Sequence, residues 1–267
     1  ALTDAAQQRL ILESRLRRAL KQGEFILHYQ PLLDTQSGRG MGVEALLRWQ
    51  SSEGLVPPGQ FIPLAEDCGL IEPLGAWALQ EACRQVQQWR QQGLNLQTLA
   101  VNLSPRQFRQ RNLLEQVQRA LRQSGLPARC LELEITEGAL MDNVEQAQRT
   151  LQALRDLGLQ LAVDDFGTGY SSLAYLRRFP INKLKIDQSF MQGIPEDHGN
   201  LQIVRAIITL AHSLDLTVLA EGVEQPQQLE VLRQLDCQYS QGYLFSRPLP
   251  ADCLPTWWHE HGLPASM

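Results

Sequence analysis

The sequence lacks the marks of several large protein classes. It has no excess of positive charge: 24 lysines and arginines face 29 aspartates and glutamates, a formal net charge of −5. A surface that grips phosphate backbones nonspecifically needs the opposite balance, so binding to a DNA or RNA polymer is not expected. No apolar run approaches the roughly 20 residues of a membrane span, and no signal-peptide pattern is present. No membrane contact by this segment is therefore expected. Only 6% of the residues are aromatic, few of them at predicted strand ends, which leaves little material for stacking sugars. The five cysteines (Cys68, Cys83, Cys130, Cys237, Cys253) are odd in number and far apart. They form neither a disulfide framework nor a zinc motif and read as reduced thiols in a cytoplasmic setting. None of the five histidines has metal-ligand spacing. Internal repeats and low-complexity segments are also missing.

What the chain does have is an alternation of short strands and helices over 267 residues, 43% of them hydrophobic. Strand signals fall near 25–33, 42–49, 97–103, 130–136, 159–165, 182–187, 216–221 and 239–245. Helix signals fall near 60–66, 73–92, 110–123, 143–157, 170–177, 199–213 and 225–235, with Gly93, Gly125 and Gly158 placed to close three of them. Such alternation predicts a parallel sheet, and eight strands in about 250 residues predict an α/β fold of the (β/α)8 barrel type. One connection departs from that pattern. Only the stretch from Asp34 to Gly42 joins the first two strands, too short for a parallel crossover. The first strand is therefore expected to run antiparallel to the second. A polar, Arg-rich helix over residues 1–21, with apolar positions at Leu10, Leu12, Leu16 and Leu20, reads as a linker from an upstream domain. The barrel is expected over 22–254 and a tail over 255–267, with Trp257 and Trp258 capping the barrel. The chain begins with Ala1 rather than Met, and a piece of a longer protein is expected.

Seven apolar runs each carry polar, mostly acidic residues where a buried strand should be oily: Glu44, Asn102, Glu134, Asp164 with Asp165, Lys185 with Asp187, Glu221 and Gln241. Functional residues of (β/α)8 barrels sit at the C-terminal ends of strands, and all but Glu44 and Gln241 fall near such an end. Two carboxylates ~5 Å apart repel by about 3 kcal/mol at an effective dielectric near 20. Glu44, Glu134, Asp164 and Asp165 alone make six such pairs, more than Lys185 and Arg48 can offset. Either several acids stay protonated or hard cations bind. Carboxylates with the amide oxygen of Asn102 suit Mg²⁺, Mn²⁺ or Ca²⁺ rather than zinc. Adjacent aspartates suit a bridged pair of ions, as in two-metal phosphodiester cleavage. Glu132, near the start of its strand, reads instead as half of a structural ion pair. Paired acids also occur in glycosidases, but Asn102, Lys185, the tandem aspartates and the scarcity of aromatics argue against that chemistry.

Over about residues 10 to 250 these features resemble the EAL domain, the cyclic di-GMP phosphodiesterase family. The naming motif stands as Glu44-Ala45-Leu46, extended by Leu47-Arg48-Trp49. Further matches are Tyr29-Gln30-Pro31, Val101-Asn102-Leu103-Ser104-Pro105, Glu134-Ile135-Thr136-Glu137, Asp164-Asp165-Phe166-Gly167-Thr168-Gly169, Lys185-Ile186-Asp187, Glu221-Gly222-Val223-Glu224 and Gln241-Gly242-Tyr243. The family fold is a modified barrel with an antiparallel first strand, in agreement with the short connection.

The resemblance implies the following roles. Glu44, Asn102, Glu134 and Asp164 would hold one divalent ion. Asp164 would bridge to a second, with Asp165 its other main ligand. The cations implied are Mg²⁺ or Mn²⁺, while Ca²⁺ would bind without supporting activity. Lys185 would orient the attacking water or neutralise phosphate charge; a salt bridge to Asp187 is the alternative. Glu221 would position Lys185 and the water, with general base a further possibility. Arg48 would contact a substrate phosphate, or else neutralise Glu44. Leu46, Gln30 and Gln241 would lie near the substrate, though either glutamine could merely satisfy local backbone. Asp187 and Glu224 would support the ligands. The loop of Asp165, Phe166, Gly167, Thr168 and Gly169, continuing through Tyr170, Ser171 and Ser172 and anchored by Glu137, would couple the metals to a homodimer interface. The implied activity opens cyclic di-GMP to linear 5′-pGpG, downstream of a sensor or diguanylate cyclase-like domain. A catalytically silent cyclic di-GMP receptor is the competing reading.

Overall fold

Residues 2–169 and 173–263 are described by a computed structural model, with side chains from residue 9 onward except at 173 and 174. Tyr170, Ser171 and Ser172, which end the expected Gly-rich loop and open the helix expected over 170–177, lie outside the described residues. So do the last four residues of the expected tail.

Ten strands form one sheet: β1 (Phe25–Asp34), β2 (Gly40–Ser51), β3 (Gly54–Val56), β4 (Thr98–Leu103), β5 (Leu131–Thr136), β6 (Gln160–Phe166), β7 (Lys183–Ile186), β8 (Thr217–Ala220), β9 (Tyr239–Ser240) and β10 (Leu249–Pro250). From β2 through β4 to β9 each neighbour is parallel. β1 runs antiparallel to both β2 and β9 and closes an eight-stranded barrel. The reason is the turn after β1. Gly38 takes φ 68° and its N–H donates to the Asp34 carbonyl (2.8 Å), while Asp34 Oδ1 accepts from the Ser37 N–H (2.8 Å). A turn this tight can only reverse the chain.

The helices wrap the outside: α1 (Leu2–Gln22), α2 (Pro58–Asp67), α3 (Ile71–Gln91), α4 (Pro105–Phe108), α5 (Leu113–Ser124), α6 (Glu137–Met141), α7 (Val144–Asp156), α8 (Leu173–Leu176), α9 (Gln188–Met191), α10 (His198–Ser213), α11 (Pro226–Gln234) and α12 (Leu254–His261). Their apolar faces meet the outward side chains of the strands. Leu131, Leu133 and Ile135 of β5 and Leu161 and Val163 of β6 are fully buried there. Each such side chain contributes about 1.5–3 kcal/mol over leaving it in water. The glycines expected to close helices, Gly93, Gly125 and Gly158, all take positive φ.

A second apolar cluster lies beside the barrel. Leu16 and Ala19 of α1 pack with Phe25, Trp49, Phe61 and Leu74, and the Trp49 indole donates to Glu24 Oε2 (2.8 Å). Of the apolar positions expected on α1, Leu16 is buried, whereas Leu10 stays 68% exposed.

Three local expectations need correction. The last barrel strand, expected over 239–245, ends at Ser240. A Cβ on Gly242 would come 2.0 Å from the Val223 carbonyl oxygen, so the chain is pressed there against the loop after β8 and turns away. The segment expected as a tail is helical in α12, with Leu254 and Trp258 buried. Trp257 and Trp258 lie against Gly40, at the N-terminal end of the barrel. The β2–β3 hairpin, which carries β2 past the barrel, was not anticipated.

Candidate active site

The barrel interior is built in layers, because residues two apart on a strand share a face. The lowest layer holds Glu132 and Lys183, 2.7 Å apart and both buried. This is the structural pair expected of Glu132. Above it, Leu32, Ala100 and Leu219 form a small apolar plug with Tyr239. The next residue on each of those faces is polar: Gln30 on antiparallel β1, Asn102 on β4 and Glu221 after β8. The polar mouth of the barrel thus begins one layer above an oily floor.

Lys185 stands at the centre of that mouth, with no exposed surface. Its Nζ lies 2.6 Å from Glu134 Oε2, 2.8 Å from Glu221 Oε1, 3.1 Å from Asp164 Oδ1 and 4.0 Å from Glu44 Oε1. The alternative pairing with Asp187 does not form. Asp187 instead caps α9, accepting from the Ser189 N–H (3.0 Å), and shares a hydrogen bond with Asp165. Glu44 is gripped from two sides: Asn102 Nδ2 donates to Oε1 (2.6 Å) and Gln241 Nε2 to Oε2 (2.8 Å).

Asp164 and Asp165 reach the same place through an irregularity. β6 and β7 pair in register at Val163 with Leu184 and again at Phe166 with Ile186, so two residues of β6 oppose Lys185 alone. This is the geometry of a β-bulge. Asp165 takes φ 53°, outside the strand region, and its N–H donates to Asp164 Oδ1 (3.0 Å). As a result, carboxylate oxygens of Asp164, Asp165 and Glu221 all lie within 4.8 Å of one another.

Five carboxyl groups (Glu44, Glu134, Asp164, Asp165, Glu221) thus surround one ammonium. Burial pushes Glu134 well above the ordinary carboxylate range, against the pull of Lys185, with Glu44 and Asp164 adding to the rise. Burial also raises Asp165 to about 6, helped by Asp164 and Asp187. Glu221 rises to about 8, through burial before all else. Burial alone would lower Lys185, but Glu134, Glu221, Glu44 and Asp164 outweigh it and hold the ammonium protonated. The site is short of positive charge. Two buried oxygens aimed into it, Glu134 Oε1 and Gln241 Oε1, have no hydrogen-bond partner. Orphaned acceptors of this kind are costly unless a cation, proton or water meets them. An all-oxygen donor set with excess negative charge fits hard divalent cations.

The cleft above this constellation has a volume of about 260 Å³, and Gln30, Glu44, Leu46, Asn102, Asp164 and Glu221 line it. A larger cavity of 720 Å³ opens at the opposite, N-terminal end around Lys183 and Glu132. Size does not make it the active site, since its ion pair is already closed. Gln30 joins the cleft from the antiparallel strand, directly opposite Glu44, with Nε2 donating to the Ser246 carbonyl (3.2 Å). Arg48 makes no ion pair with Glu44; Nη1 donates to the Leu47 carbonyl (2.8 Å), and the half-buried guanidinium keeps other donors in reserve. Glu224 stands exposed at the rim, its N–H donating to buried Gln228 Oε1 (2.7 Å). Glu137 is buried, and its Oε2 accepts from the Gly167 N–H (3.1 Å). Phe166 is buried in the core, and Thr168 Oγ1 donates to the Asp165 carbonyl (2.8 Å). Sequence reasoning missed Gln188 and Tyr243 as lining residues. It also missed Lys183 as the partner of Glu132, although the alternation of Lys183 with Lys185 on β7 carries that signal.

Comparison with known proteins agrees with this geometry. Residues 13–248 match the EAL domain family. The sequence is 48% identical over 250 residues to the cyclic di-GMP phosphodiesterase NbdA of Pseudomonas aeruginosa, covering 93% of this chain and 32% of NbdA. It is 43% identical over 258 residues to the oxygen sensor protein DosP of Escherichia coli, covering 96% of this chain and 32% of DosP. The fold superposes on the PaMucR phosphodiesterase in complex with c-di-GMP, from Pseudomonas aeruginosa, with a TM-score of 0.88 and 44% identity, over 91% of this chain and 99% of that one. The chain spans about a third of the length of these curated relatives. With the family matched over nearly all its length and relatives at these identities, the chain belongs to the EAL domain family.

Proposed function

We propose that this chain hydrolyses cyclic di-GMP to linear 5′-pGpG using two divalent cations. The observation that carries the reading is the bulge that turns Asp164 and Asp165 together into a mouth already occupied by Glu44, Glu134 and Glu221. A site meant only to recognise a dianionic ligand has no use for five carboxyl groups, which repel phosphates. The motif residues of the family are complete here, and the relative NbdA is named a cyclic di-GMP phosphodiesterase.

In this reading Glu44, Asn102, Glu134 and Asp164 hold one ion, and Asp164 and Asp165 a second. Mg²⁺ or Mn²⁺ seated there would acidify the attacking water and offset charge on the phosphoryl oxygens. The rest is done by the chain. Arg48 offers its remaining donors to a phosphate as a planar fork. Lys185, kept protonated by its acids, adds a fixed positive charge. Glu221, hydrogen-bonded to Lys185 and partly open to the cleft, orients the water. The water oxygen bonds to phosphorus, the bond to the 3′ oxygen breaks, and that oxygen takes a proton, leaving a 5′ phosphomonoester. Gln30, Leu46 and Gln241 shape the cleft around the substrate.

A homodimer through the helix after the Gly-rich loop belongs to the proposal. The exposed side chains of Tyr175 on α8 and Ile203 on α10 support it. An upstream sensor or cyclase-like domain is supported by the greater length of the relatives. Among the described residues no helix is long and apolar enough to cross a membrane, and a cytoplasmic location is proposed.

Nucleotide chromatography after mixing the chain with cyclic di-GMP tests the reading. Linear dinucleotide should form with Mg²⁺ or Mn²⁺, but not with Ca²⁺ or with chelator. Tight binding without cleavage under every condition would replace the enzyme with a receptor.

A further inference from the structure

We infer that Tyr243 is the platform on which a purine base of the substrate stacks; this rests on the phosphodiesterase reading and deepens it. Two cavities meet at the barrel mouth. The charged cleft holds the acids, and an apolar cavity of 280 Å³ adjoins it across Leu46 and Asn102. Among the residues lining either one, Tyr243 carries the only aromatic ring. It is 50% exposed, which is unusual for a large ring on an ordered turn.

The turn that presents it is fixed on several sides. The Val223 N–H donates to the Gln241 carbonyl (3.0 Å), and the Leu244 N–H donates back to the Val223 carbonyl (3.0 Å). The Phe245 and Ser246 N–H groups both donate to the Gly242 carbonyl (3.1 and 3.2 Å). Gln30 ties the same turn to β1 through the Ser246 carbonyl. At Gly242 the backbones are too close for any Cβ. Tyr243 is therefore exposed and yet held still, so little conformational freedom remains to be lost on binding.

One face of the ring is already taken. The Arg247 guanidinium carbon sits 4.3 Å from the ring centroid, a cation–π contact. That contact braces the ring and leaves its other face for a ligand in the cleft. A purine is the fitting occupant: it is flat, and the distance from the acids to Tyr243 lies within one cleft, so a phosphate at the acids places a linked base nearby. Stacking is tolerant of base identity, so this platform supplies affinity for purines, with discrimination left to other contacts.

The test compares wild type, Tyr243→Ala and Tyr243→Phe in Mg²⁺-dependent turnover of cyclic di-GMP, together with calorimetric binding of cyclic di-GMP in chelator. Tyr243→Ala should raise KM about 5- to 150-fold, the range for one base on one ring. In chelator, Kd should rise by a similar factor. kcat and Mg²⁺ affinity should change less than about twofold, and Tyr243→Phe should match wild type. Unchanged KM and Kd in Tyr243→Ala would overturn the platform while leaving the phosphodiesterase reading standing. So would a parallel fall in kcat or Mg²⁺ affinity, which would make the ring a mere brace for the turn. Loss of binding in Tyr243→Phe would assign the role to the hydroxyl and overturn stacking. A wild-type chain that neither cleaves nor binds cyclic di-GMP would end both readings together.

Discussion

Asp164 and Asp165 are consecutive in the chain, yet their carboxylates share one face of the sheet. A regular strand would send one of them outward. The bulge opposite Lys185 and the φ of 53° at Asp165 bring both inward. Asp165→Asn should then bind one fewer Mg²⁺ per chain in equilibrium dialysis. Its turnover of cyclic di-GMP should fall at least about a hundredfold, as expected when several kcal/mol of charge stabilisation is lost. In chelator the same variant should melt a few degrees higher, because a repelled charge is gone. Two ions still bound to Asp165→Asn would remove Asp165 from the ligand set.

The two lysines of β7 head chemically different layers. Lys183 and Glu132 close a buried pair at 2.7 Å, whereas Lys185 faces several acids at once. Removing one partner of a buried pair costs about 3–5 kcal/mol, while replacing both by apolar side chains is often neutral. Lys183→Met should therefore destabilise by about that amount in urea unfolding, with or without Mg²⁺. Lys183→Met combined with Glu132→Leu should recover most of it. Lys185→Met should be comparably unstable in chelator but rescued by Mg²⁺, which replaces the missing charge. Equal rescue of both lysine variants would erase the distinction between the layers.

Much of this was legible in the sequence, for specific reasons. The antiparallel first strand follows from the few residues between Asp34 and Gly40, which cannot hold a crossover. The inward faces of β4, β5 and β7 follow from simple alternation, which places Asn102, Glu134 and Lys185 on one lining. Alternation fails where the backbone leaves strand geometry, and β6 does so at Asp165. Nothing in the dipeptide says which carboxylate the bulge will turn inward. The end of the last strand was misread because Tyr-Leu-Phe after Gly242 has strand propensity. The close approach of Gly242 to Val223 is a contact between distant segments that no local pattern records. The role of Tyr243 was hidden for the same reason: its exposure depends on how that turn is held.

The raised carboxyls set a pH dependence with a definite sign. Asp165 is pushed up to about 6 and Glu221 to about 8. An unfolded chain would titrate both near 4. The metal-free fold thus holds these protons more tightly than the unfolded chain. Their contribution to stability is full below about pH 4 and is lost as the pH rises through about 6 and then about 8. Mg²⁺ acts in the opposite sense, since it competes with protons and binds the ionised acids. The rise in Tm on adding Mg²⁺ should therefore be small at pH 5 and several times larger at pH 8. An equal rise at both would mean that the acids are ionised throughout.

Glu137 is the peg of the loop that begins at Asp165. It is buried; Oε2 accepts from the Gly167 N–H, and Oε1, without a hydrogen-bond partner, would lie 2.9 Å from any Cβ placed on Gly169. The loop is thus fitted to this carboxylate at two glycines, and Thr168 carries the constraint back to the Asp165 carbonyl. A hydrogen bond to a charged group contributes about 1.5–3 kcal/mol. Glu137→Ala should release the loop rather than unfold the barrel. Amide exchange over residues 166–169 should accelerate by roughly ten- to hundredfold, and kcat should drop by a comparable factor as Asp165 loses its fixed geometry. KM for cyclic di-GMP should stay close to wild type, because Arg48 and the cleft wall are untouched. Gly169→Ala should reproduce the effect from the other side, by pushing the carboxylate off its contact with Gly167. Wild-type exchange together with reduced activity in Glu137→Ala would show that Glu137 acts through its charge alone, not through the loop.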